Sequence, residues 1–246
     1  FLCIKAKFLC FIKKNYHIFK NLMENLTLVI PAKFEATTLP IVLKEINDLN
    51  LNCKKIVVVP KYDLDTQKVL EGTDCKVLIQ KGEGFGNALI EGLNYSSTDY
   101  SCIFNADGSF DPKYLNEMLK KNEDNYEFIF STRYKKPGGS DDDTILTLFG
   151  NYFFTLLCKI LFRLNISDVL YTYVMGKTSA FKDLDLTYND FSFCVELPAK
   201  AKFKSFRVFD FPSYERPRIS GKKKVNELRD GFLILISILK LFIFKK

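Results

Sequence analysis

The stretch YSCIFNADGSFDP, residues 100–112, predicts both the fold and the position of a site. It opens with an apolar run, Cys102-Ile103-Phe104, that is typical of a buried strand, and it breaks off at the polar run Asn105 to Ser109. Oxygen ligands at the carboxyl end of a buried strand suit a hard divalent cation, and ligands bind at this edge of open α/β sheets. The alternative is a strand followed by a plain polar turn, because Asn, Asp, Gly and Ser all favour turns.

Composition narrows the class of protein. The chain has 246 residues, of which 47% are hydrophobic, so it can bury a large core. Seven Cys without a CxxC pair and a single His argue against a zinc site or a disulfide framework, and favour a reducing cytoplasm. The net charge is +7, and residues 1–22 hold five Lys and no acid, so 7 minus 5 leaves +2 for the body. A nearly neutral body does not indicate a nucleic-acid binder.

Apolar runs and amphipathic segments alternate along the first half of the chain. We predict strands at residues 26–30, 56–59, 75–80, 102–104 and 128–131, with helices at 39–49, 66–71, 88–93 and 112–121. This alternation predicts an α/β fold with a Rossmann-like, mostly parallel sheet and helices on both faces. No repeat or linker interrupts it, so residues 23–225 are predicted to form one domain.

The second half of the chain does not continue the regular alternation of strands and helices. A long apolar helix is predicted over residues 146–162, with Phe149, Phe153, Leu156, Leu157 and Ile160 spaced for one face. A helix from residue 193 to about 204 and a strand at 206–211 follow, and then a basic loop over residues 216–224.

Both ends of the chain are apolar and basic. Residues 1–22 fit either a membrane-surface helix or an upstream extension of the gene that the mature protein lacks, and we favour the extension. The C-terminal segment, 226–246, carries an apolar run of about 14 residues, too short to span a bilayer. Its lack of a polar face favours an apolar interfacial helix at a membrane surface over an ordinary buried helix.

A glycine-rich turn, KGEGFGNA at residues 81–88, joins the third predicted strand to a helix. Glycines at such a turn let backbone N–H groups approach an anion, and the positive end of the helix favours it. The spacing matches neither a P-loop nor a dinucleotide fingerprint after the first strand.

In this order the motifs resemble those of family 2 glycosyltransferases of the GT-A fold, and most of all the dolichyl- or polyprenyl-phosphate mannose or glucose synthase branch. The resemblance covers residues 26–240 and is carried by VIPAKFEATTLP (29–40), KGEGFGNALIEGL (81–93), FNADGSFDP (104–112), STRY (131–134), SDV (167–169) and RISGKKKV (218–225). The chain departs from the family pattern at several positions. Asn105 stands in place of the first Asp of the metal motif, Val59-Pro60 in place of an acidic pair, and Lys223 in place of a Ser.

The resemblance implies a role for each matching residue. Asn105 and Asp107 would hold Mg²⁺ or Mn²⁺ shared with the donor diphosphate, and the loss of one carboxylate should weaken that hold. The nucleotide sugar would be bound by Pro31, Ala32, Glu35, Lys81, Gly86 and Ala106. The acceptor phosphate would be bound by Arg133, Arg218 and Lys224. The catalytic residues would be Asp107, Asp168 and Arg133.

The function expected from this resemblance is the inverting, metal-dependent transfer of a hexose from a GDP- or UDP-sugar to a polyprenyl or other lipid phosphate. The protein would be cytoplasmic and peripheral at the inner face of a membrane. One alternative is a hydroxyl acceptor on a polysaccharide or glycolipid, with Asp168 as general base. Another is a non-catalytic nucleotide-binding or membrane-scaffold protein. A sugar nucleotidyltransferase is disfavoured, because its glycine-rich loop should follow the first strand.

Overall fold

The computed structural model describes residues 24–221 and 226–244, so the predicted N-terminal segment, 1–22, lies outside the described residues. The strands are β1 Leu26–Pro31, β2 Lys54–Pro60, β3 Lys76–Gln80, β4 Tyr100–Ile103, β5 Phe128–Thr132, β6 Gly139–Ser140, β7 Val174–Lys177, β8 Val208–Pro212 and β9 Tyr214–Glu215. The helices are α1 Leu39–Asp48, α2 Leu64–Lys68, α3 Phe85–Tyr95, α4 Leu115–Glu123, α5 Ile145–Phe162, α6 Thr178–Asp183, α7 Phe193–Phe203 and α8 Glu227–Phe244. A 3₁₀ turn, Pro112–Tyr114, precedes α4.

Seven strands form the main sheet in the order β3-β2-β1-β4-β7-β5-β8. Every pair in it is parallel except those of β7, which runs antiparallel to both β4 and β5. The predicted mostly parallel sheet is therefore confirmed, and all five strands predicted in the first half exist. The sequence reading missed β7, because its four residues include a glycine and a lysine and show no apolar run. Gly176 is needed there, since a Cβ atom would lie 2.5 Å from the Phe128 ring.

The sheet separates two hydrophobic clusters. On β1, Leu28 and Ile30 point to the cluster that α1 and α4 cover, whereas Val29 points to the cluster built with α3, α5 and α7. Because both faces are covered, the central strands consist of nearly continuous apolar residues, as expected for buried parallel strands. Helices thus lie on both faces of the sheet, as predicted.

Helix α5 turns the apolar face that we predicted outward. Its inward positions are Asn151, Thr155, Cys158 and Phe162, at spacings of four, three and four residues. Phe149, Phe153, Leu156 and Ile160 are all more than half exposed. Within the described part of the chain, α5 is the one helix that is long and apolar enough to cross a membrane by length and composition.

Helix α8 has 18 residues, more than the run of about 14 predicted from the sequence. Ile234, Ile238 and Leu241 are buried in the same cluster as α5 and α7, so the C-terminal segment shares a core with the body. Gly231 lies beside Phe154, and further along the ring of Phe242 is 6.4 Å from that of Phe162. The two helices therefore run side by side in the same direction.

Candidate functional site

The site lies at the carboxyl end of the parallel strands, where loops from both halves of the chain meet. The segment 213–221, which follows β8, crosses over the 105–111 loop that follows β4. Arg216 fixes this crossing, because its backbone N–H donates to the carbonyl of Ser109 at 2.9 Å and its guanidinium donates to the carbonyl of Phe110 at 3.1 Å. The crossing brings the predicted metal segment and the predicted late basic loop together.

Asp107 is held by its own turn. Its Oδ1 atom accepts hydrogen bonds from the backbone N–H of Ser109 at 3.0 Å and from the Ser109 hydroxyl at 2.7 Å. The Asn105 amide donates to the same hydroxyl at 3.3 Å, so both predicted metal ligands belong to one small network. Gly108 has a φ of +84°, and a Cβ atom there would lie 2.5 Å from Ile219. The turn therefore requires glycine, and it leaves Oδ2 of Asp107 to face the crossing segment.

Arg218 lies between two carboxylates. Its Nη1 atom is 3.5 Å from Oδ2 of Asp107, and its Nη2 atom is 3.4 Å from Oδ2 of Asp142. Its Nε atom is buried and has no hydrogen-bond partner within the described part of the chain. Arg218 thus stands beside the predicted metal segment, whereas Lys224, its predicted partner in binding the acceptor phosphate, lies outside the described residues.

Arg133 is buried among three carboxylates. It pairs with Asp168 through two hydrogen bonds, Nε to Oδ2 at 2.7 Å and Nη2 to Oδ1 at 3.0 Å, and its Nη1 atom contacts Glu215 at 3.1 Å and Asp143 at 3.3 Å. Its Cζ atom also lies 4.7 Å from the centre of the Tyr171 ring. Burial opposes the charge on Arg133, but Asp168 and Glu215 outweigh burial and raise its pKa well above the usual value.

These contacts bear on two predicted roles. To bind an acceptor phosphate, Arg133 would have to give up carboxylate partners, since Nε, Nη1 and Nη2 all contact one. Both carboxylate oxygens of Asp168 are engaged by Arg133, and the side chain is fully buried. A general base must reach the proton that it removes, so this geometry favours a positioning role for Asp168.

The Arg133 cluster extends onto α5 and into a second strand pair. Oδ2 of Asp143 accepts a hydrogen bond from the Tyr134 hydroxyl at 2.8 Å, and that hydroxyl accepts one from the Asn151 amide at 2.7 Å. Glu215, on β9, accepts a hydrogen bond from the Ser140 hydroxyl at 2.6 Å. Burial raises the pKa of Glu215 even though the neighbouring Arg133 lowers it.

Four of the six residues predicted to contact the nucleotide lie near the end of β1. Pro31 ends the strand, and the backbone N–H of Ala32 donates to the carbonyl of residue 58 on β2 at 2.9 Å. Glu35 is buried and accepts a hydrogen bond from the Thr38 hydroxyl at 2.5 Å. Ala106 packs into the core below the metal segment. The sequence therefore placed these four residues at one edge of the sheet, as a nucleotide site in this fold requires.

The acidic residue after β2 is used inside the protein. Asp63 is buried, caps α2 by accepting from the Thr66 backbone N–H at 3.2 Å, and also accepts from the backbone N–H of Phe34. The exposed rings of Phe34 and Tyr62 lie next to it, 6.0 Å apart. Val59-Pro60, which stand in place of the acidic pair of the family pattern, end β2 just before these residues, and the carboxylate of Asp63 is used inside the protein.

Comparison with known proteins identifies the family. The sequence profile of Glycosyl transferase family 2 matches residues 27–185, well over half of the chain. The chain belongs to glycosyl transferase family 2. Two proteins described as uncharacterized glycosyltransferases, from Mycobacterium bovis and Mycobacterium tuberculosis, are each 24% identical to it over 85% of this chain and 94% of their own length. The predicted family and enzyme class are thereby confirmed.

Solved structures confirm the GT-A fold of this glycosyltransferase. Glucosyl-3-phosphoglycerate synthase from Mycobacterium tuberculosis, in complex with Mn²⁺, UDP and phosphoglyceric acid, superposes with a TM-score of 0.71 at 14% identity, over 91% of this chain and 81% of that one. The same enzyme with Mn²⁺, UDP-glucose and phosphoglyceric acid gives a TM-score of 0.67 at 13% identity, over 91% and 82%.

The glycines of the 81–88 loop serve a different purpose from the predicted anion binding. The backbone N–H groups of Lys81 and Gly82 donate to the carboxylate of Glu91 at 2.9 to 3.0 Å, so they are not open to a phosphate. Gly86 faces the 188–190 loop, where a Cβ atom would lie 2.1 Å from a backbone carbonyl oxygen. The glycine there permits close packing of two loops, and the anion-cradle interpretation does not describe these contacts.

Four residues of the site were not predicted from the sequence: Asp142, Asp143, Asn151 and Glu215. The polar loop before α5 contains three consecutive Asp, which sequence alone cannot distinguish from a solvated charged turn. The pairing of β6 with β9 is what carries this loop and Glu215 to Arg133, and two-residue strands leave no sequence pattern.

Proposed function

We propose that this glycosyltransferase moves a hexose from a nucleotide-diphosphate sugar to the phosphate of a polyprenyl-phosphate-type lipid at the cytoplasmic surface of a membrane. The observation that carries the lipid acceptor is the position of α5. The helix begins at Ile145, two residues after Asp143, which contacts Arg133. Its exposed apolar side chains therefore start at the edge of the candidate site.

Two helices contribute to one apolar face. The α5–α8 face consists of the exposed side chains Ile145, Leu146, Phe149, Tyr152, Phe153, Leu156 and Ile160 on α5, with Phe232, Leu239, Phe242, Ile243 and Phe244 on α8. Exposed apolar side chains concentrated on neighbouring helices are a feature of interaction surfaces. The alternative is that a second protein covers the α5–α8 face, but the basic residues on the two helices favour a lipid surface.

Basic residues accompany both helices of the α5–α8 face. Lys159, Arg163 and Lys240 are exposed on the two helices. In the sequence, three consecutive Lys precede α8 at residues 222–224, and two follow it at 245–246. Apolar side chains that enter the acyl boundary with lysines at headgroup level are the features by which helices bind anionic bilayers. This pattern supports the membrane surface as a partner.

The donor side follows from the Asp107 turn. A divalent ion, Mg²⁺ or Mn²⁺, would neutralise the leaving diphosphate as a Lewis acid. Oδ2 of Asp107 and the amide oxygen of Asn105 are hard oxygen donors of the type that these ions take. The guanidinium of Arg218 already lies 3.5 Å from Asp107, so the surroundings of Asp107 accommodate positive charge. The site thus fits the ion, and the Mn²⁺ complexes of glucosyl-3-phosphoglycerate synthase support the same assignment.

A phosphate acceptor suits the remaining residues better than a hydroxyl acceptor. A lipid phosphate is already an anion at neutral pH, so it needs a cation to bind it and no base to deprotonate it. Among the described residues, Arg218 is placed to bind the acceptor phosphate. Arg133 instead holds Asp168 and Asp143 in place. A hydroxyl acceptor would need a base, and both oxygens of the predicted base Asp168 are engaged.

The test is a transfer assay with radiolabelled UDP- and GDP-hexoses and Mg²⁺ or Mn²⁺. Polyprenyl phosphate in vesicles is compared with 3-phosphoglycerate and with a glycolipid extract, and Asp107→Asn serves as the inactive control. The proposal expects label in the lipid fraction only with polyprenyl phosphate. Label in 3-phosphoglycerate alone would identify a soluble acceptor, and label in the glycolipid would restore the hydroxyl alternative. A folded protein that binds no nucleotide would favour the scaffold alternative.

A further inference from the structure

Asp142 shares the guanidinium of Arg218 with Asp107. The contacts are 3.5 Å to Asp107 and 3.4 Å to Asp142, and all three side chains are only partly exposed, at 14%, 17% and 23% for Asp107, Asp142 and Arg218. Two carboxylates from loops 35 residues apart in sequence therefore converge on one positive charge. Asp107 follows β4, and Asp142 follows the β6 strand that pairs with β9.

The two arginines of the site are held in different ways. The contacts of Arg133 with Asp168 are 2.7 and 3.0 Å, close to the 2.7–2.9 Å typical of charge-assisted hydrogen bonds. Those of Arg218 are longer, at 3.5 and 3.4 Å, and its Nε atom has no partner among the described residues. Arg218 is therefore the arginine that can leave its carboxylates at low cost.

Asp142 also has a defined backbone position. Its N–H donates to the hydroxyl of Ser140 at 3.1 Å, and the next residue, Asp143, is fixed by Arg133 and Tyr134. Its carboxylate is therefore presented toward the Asp107 turn by the same cluster that orients Asp168.

We propose that Asp142 is the second carboxylate ligand of the divalent ion, in compensation for the neutral Asn105, and that Arg218 occupies this position until the ion and donor bind. The inference rests on the proposed function. An ion held by one or two carboxylates plus substrate phosphates is the usual arrangement for Mg²⁺. Once the ion takes the two carboxylates, the guanidinium of Arg218 is released to bind phosphate oxygens.

The charges support this exchange. Asp107, Asp142 and Arg218 together carry a formal charge of −1. With a divalent ion bound they carry +1, and the two negative charges of a nucleotide-diphosphate sugar return the total to −1. The same three side chains can therefore serve both states without leaving a carboxylate or an arginine unpaired.

The experiment measures Mn²⁺ binding without turnover, from the electron paramagnetic resonance signal of free Mn²⁺ in the presence of UDP. Asp142→Asn should weaken Mn²⁺ binding about tenfold or more, comparably to Asp107→Asn, because each removes one ligand charge. Asp141→Asn is the matched control, since Asp141 is exposed and its carboxylate accepts a hydrogen bond from the Tyr214 hydroxyl, away from Arg218. It should change binding less than twofold.

Two further variants test the exchange itself. Asn105→Asp in the Asp142→Asn background should restore Mn²⁺ binding, which a merely misfolded Asp142 variant would not do. Arg218→Gln should tighten Mn²⁺ binding severalfold without UDP, because the competing cation is gone, and it should weaken binding of polyprenyl phosphate.

The outcomes distinguish this proposal from the proposed function. Unchanged Mn²⁺ binding in Asp142→Asn, with binding lost in Asp107→Asn, would overturn the role of Asp142 and leave the transfer reaction intact. Weaker Mn²⁺ binding in Arg218→Gln without UDP would overturn the exchange. A wild-type protein that binds UDP but no Mn²⁺ would overturn the metal assignment of both proposals, while transfer to the lipid could still be measured.

Discussion

Substitution of Phe149 by Ser tests the membrane role of the α5–α8 face. Phe149 is 71% exposed, so its removal should scarcely affect folding. A buried aromatic side chain covers roughly 200 Å², of which this exposed fraction is about 140 Å². At about 25 cal/mol per Å², full immersion in lipid would contribute roughly 3.5 kcal/mol, and half immersion about 1.8 kcal/mol. Because 1.4 kcal/mol is a factor of ten, we expect Phe149→Ser to lower the vesicle partition coefficient about 20-fold.

The assay is co-sedimentation with vesicles that contain anionic phospholipid, over a series of lipid concentrations. Leu64→Ser is the matched control, because Leu64 is 69% exposed but lies on α2, away from the α5–α8 face. Its partition coefficient should equal that of the wild type, and urea unfolding should show both variants within about 0.5 kcal/mol of the wild type.

Equal partition coefficients for Phe149→Ser and the wild type would refute the reasoning. The reasoning would also be refuted if the wild-type protein did not bind vesicles and formed a dimer that Phe149→Ser dissociates. The second result would show that the face joins two copies of the chain.

Three further predictions concern the folded state. Asp168→Ala should lower the free energy of unfolding in urea by about 3–5 kcal/mol, because Arg133 would keep a buried charge without its main partner. Since burial raises the pKa of Glu215, the folded state binds that proton more tightly than the unfolded chain. The protein should therefore lose stability as pH rises from the usual Glu range to the raised value, and Glu215→Gln should flatten this slope in pH-dependent urea unfolding. Gly86→Ala should cost about 1–3 kcal/mol by overpacking, whereas Gly150→Ala, with no atom within 4 Å of the new Cβ, should raise the thermal midpoint.

The sequence predicted the sheet better than the site, and for a physical reason. A strand covered on both faces needs apolar residues at every position, so β1 and β2 are visible in the sequence alone. Helical periodicity predicted the apolar face of α5 but cannot say whether protein, lipid or water covers it. Arg133 is predicted as a phosphate ligand because a lipid phosphate needs a cation and because the resemblance to the family implies arginines at this position. Its carboxylates come from residues 143, 168 and 215, and only the folded chain shows that they meet.

If the proposed membrane role holds, the start of α5 next to Asp143 sets the height of the reaction centre above the membrane. If the apolar side chains of the first turn of α5 are inserted in a bilayer, the headgroup layer would lie near the Arg133 cluster. Each methylene lifted out of hydrocarbon costs about 0.8 kcal/mol, so drawing a lipid up by ten methylenes would cost about 8 kcal/mol. With the site at headgroup level, the proposed lipid phosphate would reach Arg218 while its chain stays in the bilayer. The length of the isoprenoid chain should then have little influence on the rate once the chain is long enough to anchor the lipid.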